Sequence, residues 1–361
     1  CCPVDYDPQY LKAIPAEVIE RDYGCGDPSR WVHEGETVLD LGSGTGKICF
    51  IASQVVGPQG HVIGVDMTDD MLEVARRNAP IVAERIGHDN VEFRKGRIQD
   101  LALDLEKLEG HLQDTPAADA NSWLETESTI TKLRHEHPLV ADESIDVVVS
   151  NCVLNLVEPH LKAQMFDEIF RVLRKGGRAV ISDIVSDEPV PEELQRDPEL
   201  WSGCISGALT EHDFLAAFEL ADFHGIELVK YDSEPWRTVQ GIEFRSITVR
   251  AYKGKQGACL ERRQAVIYRG PGKELTDDDG HRFRRGVREA ICDKTFQLIK
   301  AGHYGDAFEL IEPLHAVPES EAPSYATCGQ QVRDPRETKG KDYTATTEAS
   351  DCCVSDKTEC C

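Results

Sequence analysis

Apolar residues recur between positions 37 and 252 in two alternating patterns, short continuous runs and longer stretches with helical spacing. The short runs predict buried strands at 37–41, 61–66, 91–95, 145–149, 178–184, 226–231 and 244–252. Between them, apolar groups return every three or four positions, which predicts amphipathic helices at 48–56, 68–86 and 161–173. Strands that alternate with helices predict an α/β fold with a doubly wound, mostly parallel, seven-stranded sheet.

Other segments depart from this rhythm. Residues 101–141 hold two helical patterns around a polar break, which indicates an insertion at the sheet edge within a domain spanning 37–253. Residues 1–36 precede that domain and contain a short helix and a cysteine loop. Hairpin-like runs followed by a helix predict a small α+β C-terminal domain at 254–317. The segment 318–361 is poor in large apolar groups, which predicts a flexible, disordered tail that carries cysteines.

Charge and cysteine usage limit the possible partners. The chain has 361 residues, with 40 Lys and Arg against 65 Asp and Glu, and its formal net charge is −25. Such a surface repels nucleic acid and anionic membranes, so we expect a small neutral or cationic partner. No apolar run is long enough to predict a membrane span. Without a secretory stretch, the 13 cysteines indicate thiols or ligands in a reducing cytoplasm, although the start at Cys1 leaves upstream targeting open.

The first predicted strand ends at Asp40 and runs into the glycine loop Leu-Gly-Ser-Gly-Thr-Gly. Gly42, Gly44 and Gly46 allow a sharp turn and a close ligand approach that a Cβ would block. Dinucleotide enzymes and methyl-donor enzymes share such loops. The loop lacks the G-x-G-x-x-G spacing, and Asp40 suits a cationic sulfonium or amine better than a pyrophosphate. Asp66 ends the second strand, where a carboxylate binds ribose hydroxyls, so the pattern favours S-adenosylmethionine over NAD.

Several blocks resemble the arsenite S-adenosylmethionine methyltransferases. Besides the glycine loop, they are Tyr23-Gly-Cys-Gly26, Gly64-Val-Asp-Met67, Ser150-Asn-Cys-Val-Leu-Asn-Leu156 and Gly203-Cys-Ile-Ser-Gly-Ala-Leu209. The resemblance extends from about residue 9 to 315, and the block at 150–156 is its most family-specific part. It implies a class I, Rossmann-like methyltransferase that transfers methyl groups from S-adenosylmethionine to thiolate-bound trivalent arsenic and releases S-adenosylhomocysteine.

The resemblance also implies roles for individual residues. Cys152 and Cys204 match the pair that holds trivalent arsenic, and Cys25 matches a cysteine that either pairs with an upstream cysteine or adds a third thiolate. Cys1 and Cys2 are both candidates for that upstream partner. A thiol reductant, glutathione or a thioredoxin-type protein, is implied as well. The residues assigned to the cofactor are Tyr23, Asp40, Gly42, Ser43, Gly44, Gly46, Asp66, Met67, Ile98, Gln99 and Asn151.

Elementary chemistry agrees with these roles. Trivalent arsenic is soft and prefers thiolate ligands. Its lone pair can attack the S-methyl carbon in line, so the transfer depends on positioning and needs no general base.

Several of the assigned residues also have a simpler, structural interpretation. A buried cysteine is often a small core hydrophobe, the interpretation that we prefer for Cys49 and Cys292. Tyr23 either covers the cofactor or packs beside Trp31, and Asn155 either orients the donor or caps the next helix. The tail cysteines either deliver metalloid or have no fixed role. Two other functions also remain, a methyltransferase for a small organic acceptor or another soft metalloid, and a non-catalytic thiol protein that sequesters soft metals.

Overall fold

The computed structural model describes residues 6–21, 24–325 and 331–347. Residue contacts divide the chain into two compact units, Cys1–Gln256 and Gly257–Cys361. Among the described helices, none combines the length and the apolar character that crossing a membrane requires.

The first unit is built on one large sheet. Its strands are β1 (Thr37–Leu41), β2 (His61–Asp66), β3 (Val91–Lys95), β4 (Ile145–Asn151), β5 (Leu173–Ser186), β6 (His224–Tyr231), β7 (Arg237–Val239) and β8 (Ile242–Tyr252). They run in the order β3-β2-β1-β4-β5-β8-β6, and the short β7 pairs with β8. Strands β1 to β5 pair in parallel, whereas β8 pairs antiparallel with β5, β6 and β7. The predicted mostly parallel sheet is confirmed, with seven strands in this order and the short β7 as an eighth strand beside β8.

The central strands are buried on both faces, which explains their continuous apolar runs. Successive side chains of a strand point to opposite faces of a sheet. Val148 of β4 therefore packs in one core with Phe166, while Val147 and Val149 pack in the other core with Phe50. This double burial fixes the register of β4 and hence the position of the residues that follow it.

Helices cover the sheet between the strands. They are α1 (Pro8–Leu11), α2 (Ala16–Glu20), α3 (Lys47–Val56), α4 (Asp69–Ile86), α5 (Leu105–Asp114), α6 (Ala120–Glu136), α7 (Lys162–Val172), α8 (Glu192–Gln195), α9 (Pro198–Ser202) and α10 (Glu211–Leu220). Helices α5 and α6 lie in the segment predicted as an insertion, directly after the edge strand β3. Ion pairs connect this segment to the sheet edge, since Arg76 contacts Glu106 and Lys95 contacts Glu109.

The second unit contains β9 (Ala265–Tyr268), β10 (Glu274–Thr276), β11 (Arg282–Arg284), β12 (Arg288–Ala290), α11 (Asp293–Lys300), β13 (Phe308–Ile311), β14 (Gln331–Val332) and α12 (Pro335–Lys339). Its larger sheet is antiparallel and has the order β13-β9-β12-β14. Phe283, Phe296 and Phe308 fill its core.

Part of the predicted disordered tail belongs to this second unit. Strand β14 pairs with β12, and the buried Arg333 guanidinium donates to the Glu261 carboxylate over 2.8 Å. The prediction of a tail from residue 318 is therefore wrong for the segment from β14 to α12. Backbone pairing and a buried ion pair hold that segment, and neither requires large apolar side chains. The cysteines at 352, 353, 360 and 361 lie outside the described residues.

Candidate active site

The loop between β1 and α3 requires glycine for two separate reasons. Gly42, Gly44 and Gly46 have φ angles of +68°, +53° and +91°, in a region that other residues rarely adopt. Space is also short, because a Cβ on Gly42 would lie 2.6 Å from the Cγ1 atom of Val153. A Cβ on Gly46 would lie 2.6 Å from the Cζ atom of Phe93. The loop therefore packs directly against the chain that leaves β4.

Asp66, at the end of β2, holds the glycine loop in place. Its carboxylate accepts the backbone N–H of Gly44 over 2.8 Å and that of Thr68 over 2.8 Å. Each carboxylate oxygen thus receives one of these bonds and keeps a lone pair for a further donor. Asp66 is only partly buried, so a ribose hydroxyl can reach it.

A cavity of about 340 Å³ opens where β1, β2 and β4 end. Gly42, Asp66, Met67, Ile98 and Gln99 line it, all of which were assigned to the cofactor from the sequence. The wall also includes residues that the sequence analysis did not assign, namely Thr68, Gly96, Arg97, Val153, Leu156, Val157, Glu158 and Leu161. Apolar side chains beside the Asp66 carboxylate fit the adenosine part of S-adenosylmethionine, because the base needs apolar contact and the ribose needs acceptors.

Other residues assigned to the cofactor either do not line this cavity or lie outside the described residues. Asp40 is buried, and its Oδ2 atom accepts the Cys49 thiol over 3.2 Å. The buried Ser43 hydroxyl lies over Gly64 and has no hydrogen-bond partner among the residues that the structure describes. Neither Asp40 nor Ser43 is among the residues that line the cavity. Tyr23 lies outside the described residues.

Asn151 anchors the cysteine loop beside β4. Its Oδ1 atom accepts the backbone N–H groups of Cys25 and Gly26 over 2.9 and 3.0 Å. Its Nδ2 atom donates to the Gly26 carbonyl over 2.7 Å and to the Tyr6 hydroxyl over 3.1 Å. These four bonds use the whole capacity of the amide in this structure. The assignment of Asn151 to the cofactor stays a prediction.

The three predicted arsenic-binding cysteines lie together. Cys25 and Cys152 form a disulfide with a Cα–Cα distance of 5.8 Å, and the Cys204 thiol donates to the Cys152 carbonyl over 3.1 Å. Their exposed fractions are 0%, 4% and 7%, and they are packed among apolar residues that include Ile205 and Phe244. In this structure Cys25 is thus paired with Cys152, and Asn151 holds the Cys25 backbone next to it, whereas its pairing with an upstream cysteine and its role as a third thiolate both stay predictions. Cys1 and Cys2 lie outside the described residues.

Both Cys152 and Cys204 sit on unusual backbone. Each has a φ angle of +61°, which is uncommon for residues other than glycine. The Cys152 N–H donates to the Ser182 carbonyl of β5 over 2.8 Å. At Gly207, after Cys204, a Cβ would overlap the carbonyl oxygen of Asn155. The two cysteine segments therefore touch through their main chains, and tertiary contacts hold them in these conformations.

A buried polar cluster lies next to the cysteines. Burial raises the pKa of the Cys204 thiol to about 12, and the neighbouring Asp183 carboxylate adds to this effect. Burial also raises the pKa of Asp183 to about 6 and lowers the pKa of Lys162 to about 8. Cys204 is consequently a thiol at neutral pH in this state. No sequence pattern indicated a role for Lys162 or Asp183, because an isolated Lys or Asp usually lies on the surface.

Cys49 and Cys292 are both buried, and neither belongs to the apolar cluster that contains these three cysteines. Cys49 packs in the core on one face of the sheet. Cys292 lies at the start of α11, where its sulfur accepts the backbone N–H of Thr295 over 3.5 Å. These placements agree with the interpretation of both as structural residues.

Comparison with known proteins identifies the family. A methyltransferase-domain family matches residues 32–114 and 127–222, and the gap between the two matches extends from the end of α5 into the first turns of α6. An arsenite methyltransferase from Aquipseudomonas alcaligenes is 34% identical over 327 residues, which cover 86% of this chain and 84% of that protein. The chain belongs to the arsenite methyltransferase family. It is therefore an S-adenosylmethionine-dependent methyltransferase, as the sequence resemblance implied.

Further matches agree with membership of the arsenite methyltransferase family. The arsenite methyltransferase of Mus musculus is 31% identical, with 91% of this chain and 81% of that protein covered. The crystal structure of an arsenic(III) S-adenosylmethionine methyltransferase from Chlamydomonas reinhardtii is 27% identical, has a TM-score of 0.55 and covers 90% of this chain and 99% of that one. Residues 255–343 match a family described as a domain of unknown function.

Proposed function

We propose that this protein transfers methyl groups from S-adenosylmethionine to trivalent arsenic bound by Cys152 and Cys204. The observation that carries the proposal is the position of Val153. This residue follows Cys152 directly, lines the cofactor cavity and lies against Gly42 of the glycine loop. The sulfur cluster and the cavity are thus one residue apart along the chain, which is the proximity that a direct methyl transfer requires.

The chain's own residues supply binding and exclusion of water. Thiolate sulfurs are the ligands that soft trivalent arsenic prefers, and Cys25 offers a third one once it is reduced. The apolar walls around the cysteines keep water from the arsenic. Asp66, Met67 and Ile98 are placed to hold the adenosine of the cofactor. When bound, S-adenosylmethionine supplies an electrophilic methyl group.

The disulfide implies that a reductant takes part. While Cys152 is bonded to Cys25, it cannot bind arsenic. Opening this bond takes two electrons and two protons and yields two thiols. A dithiol or two molecules of glutathione can provide those electrons and protons. We therefore infer that glutathione or a thioredoxin-type protein restores the arsenic-binding state. A cycle that depends on reduced thiols is expected to run in a reducing compartment such as the cytoplasm.

Serine variants test the proposal. Cys152→Ser and Cys204→Ser should each abolish methylation of arsenite in the presence of S-adenosylmethionine and a thiol reductant. Binding of S-adenosylmethionine, measured by calorimetry, should stay unchanged. Cys292→Ala, which alters a buried cysteine of the second unit, is the matched control and should keep its activity. Wild-type methylation of arsenite by both serine variants would refute the proposal, because groups other than these two cysteines would then hold the arsenic.

A further inference from the structure

A buried lysine connects the two cysteine-bearing segments. Lys162 is the first residue of α7 and only 7% exposed. Its Nζ atom donates to the carbonyl of Leu154 over 3.0 Å and to the carbonyl of Gly207 over 2.9 Å. Leu154 lies two residues after Cys152, and Gly207 lies three residues after Cys204. One side chain therefore ties the turn that follows Cys152 to the loop that follows Cys204.

Two neighbours complete this connection. The Asn155 amide donates to the Cys204 carbonyl over 3.0 Å and to the Ile184 carbonyl over 2.6 Å. Its Oδ1 atom lies 3.5 Å from the Nζ atom of Lys162. The fully buried Asp183 carboxylate accepts the Leu154 N–H over 2.9 Å and supplies the negative charge near Lys162. The cysteine segments are thus fixed to each other and to β5.

The structure assigns Lys162 a positioning role, in which its hydrogen bonds set the spacing between the Cys152 and Cys204 sulfurs and so permit both to bind one arsenic atom. This inference rests on the proposed function, because it takes the two cysteines as the arsenic ligands. The spacing of the two sulfurs depends on such hydrogen bonds, since both cysteines have positive φ angles and would relax toward commoner conformations without tertiary contacts. When a residue that orients a ligand side chain through hydrogen bonds is replaced, the affinity of the site for its metal typically changes about 10- to 100-fold.

Arsenicals differ in the number of sulfurs that they bind, and this difference provides a selective measurement of sulfur spacing. Methylarsenite has two exchangeable oxygens and binds two thiols, whereas dimethylarsenite has one and binds a single thiol. Loss of the correct spacing weakens two-point binding and leaves one-point binding unchanged. The ratio of the two affinities therefore reports sulfur spacing, and a general loss of structure would not change it selectively.

The experiment compares Lys162→Met and Lys162→Arg in the fully reduced protein. Lys162→Met should bind methylarsenite roughly 10- to 100-fold more weakly, with dimethylarsenite and S-adenosylmethionine affinities within about twofold of wild type. Lys162→Arg keeps the donors and should recover part of the loss. The matched control is Lys253→Met, since Lys253 is also 7% exposed and bonds to Arg171 near the start of β5. Asn155→Ala serves as the second variant if Lys162→Met does not fold.

Unchanged methylarsenite affinity in Lys162→Met would overturn the inference. A parallel loss of all three affinities, together with a lower Tm, would also overturn it by showing a purely structural role. The Cys152→Ser and Cys204→Ser proteins are titrated in the same series. If they bind methylarsenite like the wild type, the proposed ligands are wrong. If only the serine variants lose affinity, the ligands stand and the positioning role of Lys162 falls.

Discussion

Replacing Asn151 by alanine should loosen the link between the Cys25 loop and β4. The side chain makes four hydrogen bonds to this loop and to Tyr6. Two of them hold the N–H groups of Cys25 and Gly26, and at about 1 kcal/mol each they contribute about 2 kcal/mol to keeping Cys25 near Cys152. Since 1.4 kcal/mol corresponds to about a factor of ten, the equilibrium constant for forming the Cys25–Cys152 disulfide should fall roughly 30-fold.

The assay equilibrates each protein with glutathione buffers and measures the fraction of the disulfide by thiol alkylation. Asn90→Ala is the matched control, because Asn90 is also buried and donates to the carbonyls of Gly57 and Gly60 over 2.8 and 3.2 Å, away from the cysteines. It should lose comparable stability and keep the wild-type disulfide equilibrium. The reasoning is refuted if Asn151→Ala forms the disulfide as readily as the wild type, or if Asn90→Ala shifts it equally.

Two further predictions concern the glycine loop and the buried carboxylate. Gly42→Ala should weaken S-adenosylmethionine binding about tenfold or more, because a Cβ there meets Val153. Gly57→Ala is the control, since Gly57 has a similar φ of +67° with open space around it, and this variant should bind S-adenosylmethionine normally. Equal calorimetric affinities of the two variants would contradict the prediction. Asp183 has a pKa of about 6 against an ordinary 3.8, so its stabilising effect is complete below about pH 4 and is lost as the pH rises through 6. Urea unfolding should therefore show the wild type losing stability relative to Asp183→Asn between about pH 4 and 7. Parallel pH profiles of the two proteins would exclude this effect of Asp183.

The parts of the fold that depend on local pattern were predictable from the sequence. The run from β1 through Gly46 combines an apolar strand, a glycine spacing and a helical period, and each signal lies within a few neighbouring residues. Asp66 was predictable for the same reason, since it ends a buried strand. The grouping of Cys25, Cys152 and Cys204 came from the family resemblance, because their separations along the chain exceed any local pattern.

The remaining site residues act through partners that are distant in sequence. Asn151 bonds to a loop 126 residues away, and neither sequence segment indicates the other. Lys162 begins an amphipathic helix, where a lysine usually faces solvent, and only the tertiary structure places Asp183 and the two carbonyls around it. The second unit shows the same limit, because the pairing of β14 with β12 needs no apolar signal.

The side chains that shape this site hold main-chain atoms. Asn151 binds the backbone of Cys25 and Gly26, Asn155 binds the Cys204 carbonyl, and Lys162 binds two further carbonyls. Every residue offers the same carbonyl whatever its side chain, so substitutions among the apolar residues around the cysteines leave these bonds intact. The arrangement of the sulfurs can therefore stay constant while those apolar side chains change.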